Sequence, residues 1–169
     1  MKTITLFDRN PDLCKAWWNV MADLQGITIL TCELCDLPPH DYLVTAGNSY
    51  GIMTGGIDKK VRDLLGIQVQ DAVQDYILMY GPVEVGGCVV VELPQDAPHG
   101  HLLYLPTMNR PRPAWPHQIV AAMAGALLTI EPDASIAIPG LGTGIGGLDP
   151  ITAAKGMRAG IEIYRELRG

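Results

Sequence analysis

Two hydrophobic rhythms alternate along the chain. Short apolar runs of strand length occur at "TITLFD" (3–8), "ITILTC" (27–32), "DYLVTA" (41–46), "CVVVEL" (88–93), "HLLYLP" (101–106) and "SIAIP" (135–139). Between them, apolar residues recur at helical spacing. Leu13, Trp17, Val20, Met21 and Leu24 form one such face, with Asn10 as N-cap, Pro11 at the first helical position and Gly26 as the stop. A helix from Ile57 carries Val61, Leu64 and Leu65 and ends at Gly66; the next carries Val69, Val73, Tyr76, Ile77 and Tyr80 and stops at Gly81-Pro82. Ile119, Val120, Met123, Leu127 and Leu128 mark a fourth helix. Asp149 caps, and Pro150 begins, a last helix with Ile151, Ala154, Met157, Ile161 and Tyr164. "DLPPH" (36–40) and "RPRPAWP" (110–116) are irregular, because their prolines break both repeats. Strands alternating with helices predict an α/β sandwich, its sheet buried between two helical layers. No internal repeat or linker interrupts the pattern, so one domain over residues 1–169 is expected, with Trp17 in the core and Trp18 on the surface.

Composition narrows the class. Hydrophobic residues make up 48% of the 169, yet no window reaches the roughly 18 consecutive apolar residues of a membrane span. Charge arrives early, at Asp8 and Arg9, so the first residues lack the pattern of a secretory signal and a cytoplasmic location is expected. Cys14, Cys32, Cys35 and Cys88 are too irregularly spaced for a disulfide scaffold. "CELC" (32–35) has no second pair and only His40 nearby, so buried thiols are expected rather than a metal site. The formal net charge of −6 opposes general nucleic-acid binding, and the basic residues are thinly spread apart from the pairs Lys59–Lys60 and Arg110–Arg112. An anion bound by such a chain must draw on backbone N–H groups.

Two glycine-rich stretches could supply them. "NSYGIMTGGID" (48–58) follows the third strand, and "PGLGTGIGG" (139–147) follows the sixth; each leads into a helix N-terminus. In α/β sheets ligands bind at this edge, where first-turn amides are unpaired and successive N–H groups form an anion nest. Of the 19 glycines, eight fall in these two loops, which is more than tight turns alone require. A P-loop would need a Lys-Ser/Thr pair after its last glycine, and neither loop has one. Gly142, Gly144 and Gly147 satisfy G-x-G-x-x-G, but a Rossmann unit needs a following strand bearing an acid. Here the corresponding Glu162 falls on the last helix.

"LVTAGNSYGIMTGGID" followed by "SIAIPGLGTGIGG" resembles the two signature loops of macrodomains, the ADP-ribose-binding modules. "VGGCVVVEL", "LLYLPTMNRP" and "FDRNPDLCKAW" extend the likeness, which is nearest to small stand-alone bacterial and phage proteins of that family. The resemblance implies a three-layer α/β/α sandwich around a central mixed six-stranded sheet, with no cofactor and no metal. It implies that Asn48 contacts the distal ribose and that Gly55, Gly56 and Ile57 bind the diphosphate. Asp58 would position or activate water, and Gly142, Thr143, Gly144, Ile145 and Gly146 would wrap the diphosphate and ribose. The adenine-reading acid falls at Glu33, with Asp36 as the alternative. Asn48 and Asp58 are therefore the catalytic candidates.

The chain also departs from the best-known hydrolytic pattern. A second asparagine is replaced by Thr45, a histidine by Arg62 and a stacking aromatic by Gly146, and "MTGG" stands where four glycines are common. Tyr50 is a candidate for the missing aromatic. The resemblance implies hydrolysis of ADP-ribose linked to protein or nucleic acid, or of ADP-ribose 1″-phosphate. The rival is a non-catalytic reader or sponge of ADP-ribose or a related NAD-derived signal, and a structural protein with a vestigial site is a further alternative. Expected partners are ADP-ribose or an ADP-ribosylated macromolecule, without a membrane.

Overall fold

A computed structural model describes residues 2–110 and 112–169. Its strands are β1 (Thr3–Asp8), β2 (Ile27–Thr31), β3 (Tyr42–Asn48), β4 (Val89–Glu92), β5 (His101–Met108) and β6 (Ser135–Pro139). They form one mixed sheet in the order β2-β1-β6-β3-β5-β4, parallel except where β4 runs antiparallel to β5. The helices are α1 (Pro11–Met21), α2 (Gly56–Leu65), α3 (Gln68–Tyr80), α4 (Pro116–Thr129) and α5 (Pro150–Arg168), with a 3-10 turn at Leu34–Asp36.

The strand side chains sort by period two onto two cores. Leu6, Val44, Leu103, Leu105, Ile136 and Ile138 face α1, α4 and α5, where they meet Leu13, Trp17, Ile119, Met123 and Met157. Phe7, Leu43, Leu102, Tyr104 and Ala137 face the other way, onto Val61 of α2 and Val69 and Val73 of α3. This is the three-layer α/β/α sandwich with a mixed six-stranded sheet that the resemblance implied. No described helix is long and apolar enough to cross a membrane.

Several boundaries and faces differ from the sequence expectation. Helix α1 stops at Met21 rather than running toward Gly26, because Arg158 of α5 donates to the Val20 carbonyl at 2.6 Å and pairs with Asp23. Strand β3 continues beyond Ala46 to Asn48, where the buried Tyr104 hydroxyl accepts from the Asn48 N–H at 3.0 Å and donates to its carbonyl at 2.8 Å. Leu64, Tyr76, Tyr80 and Ile151 are exposed despite their helical register. Conversely, Gly156 and Gly160 are buried on α5, where they let α4 approach. A Cβ on Gly160 would lie 2.5 Å from Met123 Cβ and 2.9 Å from the Val120 carbonyl oxygen.

The last contact reverses an ordinary expectation. Gly→Ala inside an exposed helix stabilises by up to about 1 kcal/mol, whereas Gly160→Ala should destabilise by roughly 1–3 kcal/mol through overpacking. Urea denaturation would read the sign; a stabilised variant would show that α4 and α5 are not in close contact.

Candidate functional site

Strands β3 and β6 hydrogen-bond only where they begin, with Tyr42 opposite Ile136 and Leu43 opposite Ala137. Towards their C-terminal ends β3 stays paired with β5 alone, and the space between β3 and β6 opens into a cleft. Residues 46–48, Ile52 and residues 54–58 form one wall; Gly140, Gly142, Gly144 and Ile145 form the other, around a cavity of about 280 Å³. The walls are close at Gly55, where a Cβ would reach contact distance (3.4 Å) of Ile145 Cδ1. A second cavity of about 310 Å³ shares Gly56, Ile57, Gly140 and Gly144 with the first. It continues past Thr143 to Phe7, Asp8, Arg9, Glu33 and Lys60.

Both loops carry backbone amides without an acceptor among the described residues: the N–H groups of Gly56 and Ile57 at the start of α2, and those of Thr143, Gly144, Ile145 and Gly146. Gly56 (φ +58°) and Gly142 (φ +76°) occupy left-handed backbone that other residues rarely adopt. For Gly142 there is also no room: a Cβ would meet Ile119 Cδ1 at 2.6 Å. At Gly144 a Cβ would meet nothing within 4 Å, because this residue faces the open cleft.

The first loop is held from beneath. Asn48 Oδ1 accepts from the N–H groups of Tyr50 (3.0 Å) and Ile52 (3.4 Å), while Nδ2 donates to the Ile52 carbonyl at 3.0 Å. Met53 is fully buried in the α2–α3 core, and its N–H donates to Gln70 Oε1 at 3.2 Å. Sequence reading missed Met53, although an apolar residue amid loop glycines was a usable signal of an anchor.

Asp58 lies in the first turn of α2, 3% exposed, and lines the first cavity. Thr45 donates to its Oδ1 at 2.5 Å. Oδ2 tucks under Gly47, where a Cβ would come within 2.6 Å of it and would also collide with the Tyr104 ring. Burial pushes the Asp58 carboxyl up to about 7, with the Thr45 hydroxyl acting in the opposite direction. Burial, and next the charge of Asp58, raise the Tyr104 phenol as well.

Residues 44–157, a span containing both loops, match the family model described as Macro domain. The chain belongs to the macrodomain family. An uncharacterized protein of Aquifex aeolicus (strain VF5) is 31% identical over 121 residues, which cover 69% of this chain and 70% of that one. The macrodomain of Mycobacterium tuberculosis DarG superposes with a TM-score of 0.65 at 25% identity, covering 80% of this chain and 88% of its own. Thermosipho africanus DarTG in complex with ADP-ribose gives a TM-score of 0.53 at 16% identity, covering 85% of this macrodomain and 46% of that chain.

Against the sequence expectations, Asn48, Gly55, Asp58, Gly142 and Ile145 line the first cavity, Glu33 and Thr143 the second, and Gly56, Ile57 and Gly144 both. Gly146 is buried, its carbonyl accepting from the Ala114 N–H at 2.8 Å. Glu33 lies in the lining and Asp36 does not; Lys60 Nζ stands 3.4 Å from the Glu33 carboxylate. Tyr50 faces a neighbouring groove, and the exposed apolar groups at the cavity mouth are Ile52 and Ile145 instead. Arg62 stands 3.7 Å from Asp63 on α2. Sequence reading also missed Asp8, Arg9, Thr107 and Gly140; their signal was position, at or beyond the C-terminal ends of β1, β5 and β6.

The raised Asp58 pKa has a signed consequence for this macrodomain. A carboxyl that ionises near 7 when folded and near 3.8 when unfolded adds stability below pH 4 that disappears as pH rises through 7. Asp58→Asn should therefore match wild type near pH 4 and exceed it above pH 7 by on the order of 4 kcal/mol. Urea melts across that range would show the widening gap; a pH-independent difference would mean that the carboxyl is hydrated.

Proposed function

We propose that residues 1–169 form a single macrodomain that binds ADP-ribose and hydrolyses it from protein or nucleic acid, or hydrolyses ADP-ribose 1″-phosphate. The observation carrying this reading is the continuous cleft lined by two sets of unpaired amides, with a high-pKa carboxyl at one end. The ADP-ribose complex of T. africanus DarTG, a structural neighbour, supports the choice of ligand. In this reading adenine lies near Phe7 and Glu33, and the diphosphate crosses the amides of Gly56, Ile57, Thr143, Gly144 and Ile145. The distal ribose reaches Asn48 and Asp58.

The proposed chemistry balances without a covalent enzyme intermediate. A water oxygen bonds to the anomeric carbon as the bond from that carbon to the target's linking atom breaks. Ionised Asp58 takes the water proton, and the departing atom takes one from solvent. A carboxyl ionising near 7 is a far stronger base than an exposed aspartate. Amides around the diphosphate fix the ribose relative to that base.

The reader-or-sponge alternative rests on one specific observation. The Asn48 amide is already engaged with Tyr50 and Ile52, and Asp58 with Thr45, so both candidates are partly committed to holding structure.

ADP-ribose should bind this chain much more tightly than AMP in a calorimetric titration; equal affinities would sink the cleft assignment. Gly144→Glu should abolish that binding with an unchanged melting temperature, since its Cβ enters open space. On an ADP-ribosylated substrate, turnover should rise with pH through about 7 and vanish in Asp58→Ala while ADP-ribose still binds. No turnover by wild type on any linkage would favour the reader.

A further inference from the structure

Asp8, Arg9, Glu33 and Lys60 are the charged side chains among the described residues that line the second cavity. Neither acid holds Arg9. Asp8 Oδ1 accepts from the Asn10 N–H at 2.8 Å, and the Glu33 carboxylate faces Lys60 Nζ at 3.4 Å. Arg9 makes no hydrogen bond or ion pair with the described residues, although the chain carries 18 acids against 12 Lys and Arg. Lys60 is lightly held as well. Its side chain and that of Glu33 are 43% and 49% exposed, and a pair so solvated contributes little.

The two cations come from different elements. Arg9 directly follows β1, beside Phe7 and Asp8, and Lys60 stands on α2 one turn beyond Gly56. Phe7 and Glu33 mark the proposed adenine end of this cavity, and Gly56, Ile57, Thr143 and Gly144 its diphosphate end. A ribose joins those two parts of the ligand, so Arg9 and Lys60 are the cations within the same cavity as that sugar.

We propose that this cavity takes a nucleotide with a further phosphate on the ribose between adenine and the diphosphate, as in ADP-ribose 2′-phosphate. An arginine fork grips phosphate oxygens in pairs, and a lysine adds a point charge. A ribose with free hydroxyls gives neither cation an anion to bind. The other role open to Arg9, stacking on adenine, would favour every adenine nucleotide alike. The inference rests on the ADP-ribose reading of the cleft and narrows its ligand to a more highly charged one. Two sources share this chemistry: ADP-ribose 2′-phosphate, derived from NADP, and a nucleotide phosphorylated at the 3′ hydroxyl.

Five ligands test the proposal by calorimetry: ADP-ribose, ADP-ribose 2′-phosphate, AMP, adenosine 2′,5′-bisphosphate and adenosine 3′,5′-bisphosphate. The added phosphate should tighten binding at least about tenfold over the matching ligand without it, the worth of one charge-assisted hydrogen bond. A gain at the 2′ position assigns the NADP-derived source, and a gain at the 3′ position alone assigns the other. Arg9→Gln with Lys60→Gln should bring each ratio to within about twofold of one, whatever it does to ADP-ribose itself. Both side chains are exposed, so the melting temperature should not change. Arg9→Lys should keep part of the gain. No gain from either phosphate, or a gain that survives in the double variant, overturns the phosphate subsite while leaving the cleft assignment standing. If ADP-ribose itself does not bind, the cleft assignment fails instead. The two bisphosphates against AMP then decide the subsite, which survives only with a gain that the double variant loses.

Discussion

Incomplete pairing between β3 and β6 is the constraint from which the site follows. The strands share only their first rungs, at Tyr42–Ile136 and Leu43–Ala137, and then separate. A fully laddered pair would leave no room between their ends. Because the strands part, two loops about 90 positions apart in sequence line opposite sides of one gap. In an acidic chain their unpaired amides and the partial positive charge of the α2 N-terminus add to Arg9 and Lys60 of the second cavity in attracting a polyanionic ligand.

Such a gap is useful only if its walls do not collapse into it. The Asn48 amide staples the first loop to its own backbone, Met53 plugs it into the α2–α3 core, and Tyr104 clamps the end of β3 through both Asn48 backbone groups. Gly47 leaves the space into which Asp58 and Tyr104 pack. The same packing strips water from Asp58 and shifts its ionisation towards neutrality, so holding the loop and tuning the acid are one structural event. The short bond from Thr45 moderates the shift and fixes the carboxyl against β3.

The family model matches residues 44–157, whereas Asp8, Arg9 and Glu33 reach the second cavity from before that span. The parallel ladder of β1 with β6, Thr3 opposite Ser135 through Phe7 opposite Pro139, brings the end of β1 beside the second loop. Gly140 marks the seam: a Cβ there would lie 2.9 Å from both Asp8 Oδ2 and Thr143 Oγ1.

Local chemistry was legible in the chain itself. Strands β1 and β6, the Asn10-Pro11 and Asp149-Pro150 helix starts, the Gly66 and Gly81 helix stops, and the sorting of Trp17 from Trp18 all follow from alternation, helical spacing, side-chain caps and φ preferences. These act over a few residues, so sequence alone determined them, and with them the α/β class and the two glycine loops. The early end of α1, the extension of β3 to Asn48, the exposure of Leu64 and Tyr80, and the burial of Met53 and Gly160 depend on distant partners. So does the Asp58 pKa, since desolvation is set by what packs around a group. Tertiary structure decided these features, because strand order, and not chain order, determines which side chains and amides share the space where β3 and β6 diverge.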